Sequence, residues 1–144
     1  MSYNPLITIK TKDDEEILSC TFLTNTHESF EIWDVLENLV QQGLATYLEG
    51  SQWNCYPSII DIPQATEPVK SVLIPAIEKI LFLYNNAVYV SQIGLGIATR
   101  KEDQQEQERW KNNLEKQEKA NIEALESLKL LSGEGLIIEL WGRL

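Results

Sequence analysis

The stretch from Lys101 to Leu131 holds eight acids and six bases in 31 residues, and it reads as one long, highly charged helix. At 1.5 Å per residue such a helix is about 45 Å long, more than the width of a domain this size. Its first ten residues offer no apolar side chain before Trp110. From there Trp110, Leu114, Ile122, Leu125, Leu128 and Leu131 form an interrupted stripe at helical spacing. The C-terminal half is therefore expected to pack on a sheet, and the N-terminal half to project. Glu106 with Arg109, Glu108 with Lys111 and Glu115 with Lys119 have the spacing of local ion pairs, each contributing about 0.2–0.5 kcal/mol. A projecting charged helix suits a docking arm for another chain. Glu108, Trp110, Lys111 and Leu114 are its candidate contact residues, with Trp110 as the anchor.

The elements before this helix follow from periodicity. Residues 5–11 and 16–23 alternate apolar and polar with β-branched side chains, predicting a hairpin with the acids Asp13, Asp14, Glu15 and Glu16 near its tip. A helix is expected from about Ser29 to Leu48, where Trp33, Leu36, Val40, Leu44 and Tyr47 recur every three or four residues. Gly43 within it lowers helix propensity by about 1 kcal/mol. Ser58–Ile62 reads as a short strand. A second helix runs to about Tyr84; Pro75 either kinks it, at a cost of about 3 kcal/mol, or starts it, and the periodicity favours a kink. Ala87–Ile93 looks like a strand ended by Gly94-Leu95-Gly96, and Leu136–Trp141 like a strand buried on both faces.

Together these elements predict a single α+β domain over residues 1–144. Its sheet has four or five antiparallel or mixed strands, with helices on one face and the long charged helix, about 100–131, partly projecting.

Charge then narrows the partners. The formal net charge is −10, and residues 1–50 contribute nine acids against two lysines. Direct binding to nucleic acid requires clustered Lys and Arg, which are lacking, so no nucleic-acid partner is expected. The apolar stretch Val69–Val90 is broken by Lys70, Glu78, Lys79 and Pro75, which argues against a membrane partner. MSYNPLITIK lacks the basic and apolar regions of a signal peptide, and Cys20 and Cys55 read as free thiols of a reducing compartment; a cytoplasmic location is expected.

No constellation carries a specific chemistry. Gly94-Leu95-Gly96-Ile97-Ala98-Thr99 lacks the third glycine of a dinucleotide fingerprint, and Arg100–Arg109 has nothing to pack on a sheet. Four consecutive acids diverge and lack the alternate spacing of a calcium loop. His27 is the sole histidine, so a multi-histidine metal site is excluded, and a Cys20 or Cys55 pair with His27 and Asp61 has no local signature. Glu78 and Glu139 sit in apolar surroundings and would gain interest if buried. Trp53 and Tyr56 lie in an irregular connection and are candidate binding aromatics. No catalytic residue, metal or cofactor is therefore assigned.

The first expectation is a non-catalytic protein-binding subunit or regulator, acting through an acidic N-terminal face and the long charged helix. Its partner is another protein, in a hetero-complex or a homo-oligomer. The alternatives are a small-molecule-binding domain or minor enzyme, with a pocket near residues 53–56 and 94–96, and an acidic mimic of nucleic acid.

Overall fold

The computed structural model describes residues 5–23, 31–50 and 57–141. Five strands, β1 (Leu6–Thr11), β2 (Glu16–Thr21), β3 (Thr46–Glu49), β4 (Ser58–Ile62) and β5 (Leu136–Trp141), form one antiparallel sheet in the order β2-β1-β5-β4-β3. The alternation that predicts the strands also divides their faces. Ile7, Ile9, Leu18, Cys20, Ile60, Ile62, Leu136, Ile138 and Leu140 point into the core. On the opposite face Lys10 meets Glu139 at 3.1 Å, and Lys12 pairs with Asp61. β5 is central and pairs with both β1 and β4, yet only one of its faces is fully buried; Ile137 and Glu139 stay half-buried.

Helix α1 (Glu31–Gln41) lays Ile32, Trp33, Leu36 and Leu39 into the core. It stops well before the Leu48 expected from the apolar spacing. Gly43 takes a φ of +77°, its N–H reaches the Val40 carbonyl at 3.0 Å, and the Leu44 N–H reaches that of Leu39 at 2.9 Å. These two bonds satisfy the carbonyls left at the helix end, and the left-handed residue between them turns the chain into β3. Leu44 and Tyr47 therefore belong to the turn and the strand. Helix α2 (Glu67–Lys79) carries Pro68 in its first turn and Pro75 within it, so Pro75 does not start the helix. Pro75 is exposed, and so is Ser71, whose carbonyl the missing N–H would have served. A π-helical turn follows at Ile80–Tyr84, and the backbone becomes extended at Asn85.

The expected strand at 87–93 is instead part of helix α3 (Asn86–Arg100), and Gly94-Leu95-Gly96 lies inside it. The charged helix is real but shorter than 101–131: α4 spans Gln104–Lys129. Between them Lys101–Asp103 forms a tight turn in which Glu102 has a φ of 55° and the Asp103 carboxylate accepts the Glu106 N–H at 3.1 Å. The five-strand count thus holds with β3 in place of 87–93. The helices cover one face of the sheet, with Ala124, Leu125 and Leu128 of α4 in the core.

Ile138 lies fully buried at the middle of the central strand. Ile138→Ala is expected to cost about 2–5 kcal/mol, read as a lowered urea midpoint at an unchanged slope.

Candidate interaction surface

The helical hairpin α3–α4 is fastened to the sheet by a buried polar cluster. Phe22, just beyond β2, bridges to Asn85, and the Leu23 N–H donates to the Tyr84 carbonyl at 2.8 Å. The Asn85 side-chain amide donates to Asn121 Oδ1 at 3.3 Å. The Asn121 amide in turn donates to the Leu81 carbonyl at 2.8 Å, one of the acceptors a helix end leaves open. Asn85 Oδ1 accepts the Ala87 N–H at 3.0 Å and so starts α3. Both asparagines are buried.

Beyond this base the two helices pack on each other through small residues of α3. Ser91, Gly94 and Ala98 face α4, where Asn113 Nδ2 donates to Ser91 Oγ at 2.7 Å and Gln107 Nε2 to the Ala98 carbonyl at 3.3 Å. A Cβ added at Gly94 would overlap the Trp110 ring, so glycine is required for the indole to lie against the α3 backbone. Arg109 covers the ring from 5.2 Å. The half-buried Trp110 thus closes the hairpin, and Leu114 is also half-buried, whereas Glu108 and Lys111 are exposed. Trp53 and Tyr56 lie outside the described residues, as do His27 and Cys55. Of the three expected ion pairs only Glu106–Arg109 forms among the described residues, at 3.3 Å. Residues 101–109 remain mostly exposed, though Gln107 packs back on α3 instead of projecting alone.

The face of α3 turned away from α4 was not legible as a surface, because the segment reads as a strand. It carries Tyr89, Val90, Ile93 and Ile97, each 40–48% exposed, and at 3.6 residues per turn they fall in one stripe opposite Ser91 and Ala98. Phe82 and the still more exposed Leu83 precede it at the hairpin base. Residues 80–99 contain no Asp, Glu, Lys or Arg, in a chain where these make up 24%. Within the stripe Gly96 has open space where a Cβ would stand, so nothing in this fold requires glycine there. The stripe is therefore both apolar and exposed to solvent. The absence of charge over 80–99 was the readable signal.

Other candidates carry less. A half-open notch of about 430 Å³ lies between β2 and the hairpin base, lined by Cys20, Asn85, Gln117 and Asn121 among others. Burial pushes the Cys20 thiol up to about 12, the opposite of nucleophile activation. Cys20 faces the core while Asp61 pairs with Lys12 on the other side of the sheet, so the two cannot share a catalytic site. Glu78 is exposed, and Glu139 is held by Lys10, whose own pKa is raised by the Glu139 hydrogen bond first and the Asp14 bond second. Gly94–Gly96 forms no phosphate-binding turn, and no metal-binding cluster occurs among the described residues. No described helix is long and apolar enough to cross a membrane. Neither a family model, nor a curated protein, nor a solved structure matches the chain.

Two glycines two residues apart should respond oppositely to alanine. Gly94→Ala is expected to destabilise by about 1–3 kcal/mol and to alter tryptophan fluorescence. Gly96→Ala should stabilise the isolated chain by up to about 1 kcal/mol. Thermal unfolding checks both. In a Cys55→Ser background, Cys20 should resist alkylation at a pH near 9.0, where an ordinary thiol is half ionised, and react only as the chain unfolds. Its folded pKa lies above the unfolded one, so the stability it contributes is full below 9.0 and lost as pH rises towards 12.

Proposed function

We propose that the protein is a non-catalytic protein-binding subunit that docks through its helical hairpin. The observation that carries this reading is the apolar, charge-free outer stripe of α3, Tyr89–Val90–Ile93–Ile97, which the fold itself does not cover. This moves the contact surface from the charged helix to its hairpin partner. In this reading α4 is the strut that holds α3 in place, and its charges keep the hairpin soluble. The acidic N-terminal third makes encounter rates with a charged partner sensitive to salt.

The acidic-mimic reading receives less support. Several of the carboxylates it needs are engaged by the chain's own donors: Glu37 by Tyr47 at 2.6 Å, Glu31 by Lys79 at 2.7 Å, Glu139 by Lys10 and Asp61 by Lys12. A small-molecule reading would use the notch beside β2, whose lining among the described residues carries no charged group to orient a ligand.

The full chain and its Ile93→Glu variant, used side by side as baits in native lysate, test the docking reading. A binding protein should be retained by the wild type and lost by the variant, with purified components repeating the difference in calorimetry. Equal capture by both baits would remove the surface from consideration.

A further inference from the structure

We infer that the outer stripe of α3 is occupied by a second copy of this chain, the two α3 helices running antiparallel about Ile93. The inference rests on the reading of α3 as the docking face and names what sits on it.

Three observations favour self-association. The first is charge. Two copies of a chain with net charge −10 repel wherever their acids meet, yet residues 86–118 hold five bases and six acids, a net −1. The hairpin is the part through which like copies can approach with little repulsion. A basic partner, by contrast, would find no carboxylate on α3 itself to pair with. The second is self-complementarity. A two-fold contact sets a surface against itself, and any charge near the axis would face its own image. Tyr89, Val90, Ile93 and Ile97 present none.

The third is the position of Gly96. Running α3 against its copy in opposite directions, with Ile93 on the axis, brings Val90 opposite Ile97 and Tyr89 opposite Gly96. The Tyr89 side chain then lies over the gap that Gly96 leaves, giving the unexplained glycine a packing role. The same alignment sets the Asn86 amide opposite the Arg100 guanidinium. A parallel alignment would instead stack Arg100 on Arg100.

The strength of the pair follows from its size. A helix of 15 residues offers a strip about 22 Å long, and a standard interface requires about 800 Å² from each partner. The contact is therefore weak, micromolar or above, and fills where local concentration is high.

Sedimentation velocity on the full chain, from micromolar to near-millimolar concentration, reads the association directly. The wild type should shift from monomer to dimer, and added salt should strengthen the dimer by screening the net charge. Ile93→Glu sets two carboxylates face to face and should weaken it by at least about tenfold. Gly96→Leu fills the gap and should also favour the monomer, and circular dichroism should show both variants folded. In a Cys55→Ser background, mixed Tyr89→Cys and Gly96→Cys chains should cross-link to each other faster than either does to itself. A monomer at every concentration, or a dimer indifferent to both α3 variants, overturns the proposal. Preferred Tyr89→Cys self-linkage overturns the antiparallel arrangement. A wild type that stays monomeric while a hetero-partner is still lost on Ile93→Glu would overturn the second copy and leave the docking reading standing.

Discussion

The hydrogen bond between Asn85 and Asn121 is the constraint on which the placement of the hairpin depends. A buried amide is costly unless paired, and here each asparagine relieves a different backbone deficit. Asn121 serves the Leu81 carbonyl, where the helix of residues 67–84 ends, and Asn85 serves the first turn of α3. Because the two are also bonded to each other, the end of one helix, the start of the next and the middle of α4 are fixed relative to one another. The backbone pairing of Phe22 and Leu23 with residues 84–85 ties that junction to the sheet. The cluster satisfies polar groups at a chain reversal that apolar packing alone could not direct. An alternative exit angle for α3 would break several of these bonds at once.

From that base the two helices divide their roles by side-chain size and charge. α4 is polar over most of its surface and gives most of its few apolar residues to the core and to α3, although Ile122 of the expected stripe stays exposed. α3 is apolar on two opposite faces: small residues admit Trp110 and Asn113 on one side, and larger ones meet solvent on the other. Gly94 and Gly96 look equivalent in sequence, but only the first is explained by a neighbour within the chain.

Much of the sheet was legible because alternation is a direct image of burial. β1, β2, β4 and β5 each have one face in the core and lie where their periodicity puts them. α3 was not legible for the converse reason. A helix apolar on both sides loses its 3.6-residue signal, and Ala-Val-Tyr-Val carries the β-branched and aromatic residues of a strand. The break before α4 had a signal that charge obscured: Asp103 followed by Glu106 three residues on is the spacing of an N-cap. At Gly43 the apolar spacing continued past the turn, and only the left-handed φ shows why the helix had to stop. The exposed apolar face of α3 lay inside the misassigned segment, so the candidate contacts fell on the neighbouring helix, where Trp110 serves the hairpin's own packing.

The central place of β5 has a consequence for how the chain is made. On the ribosome, β1–β2 and β3–β4 emerge as two separate ribbons, each with an apolar face and each lacking its inner neighbour. The strand that joins them, pairing Leu6 with Trp141 at one end and Ile62 with Leu136 at the other, emerges only after three further helical segments. At about 5–20 residues per second, synthesis of residues 63–136 occupies roughly 4–15 s. Through that interval the inner edges of β1 and β4 are open to any passing strand. The nascent chain, more than the finished fold, is therefore the form that needs shielding.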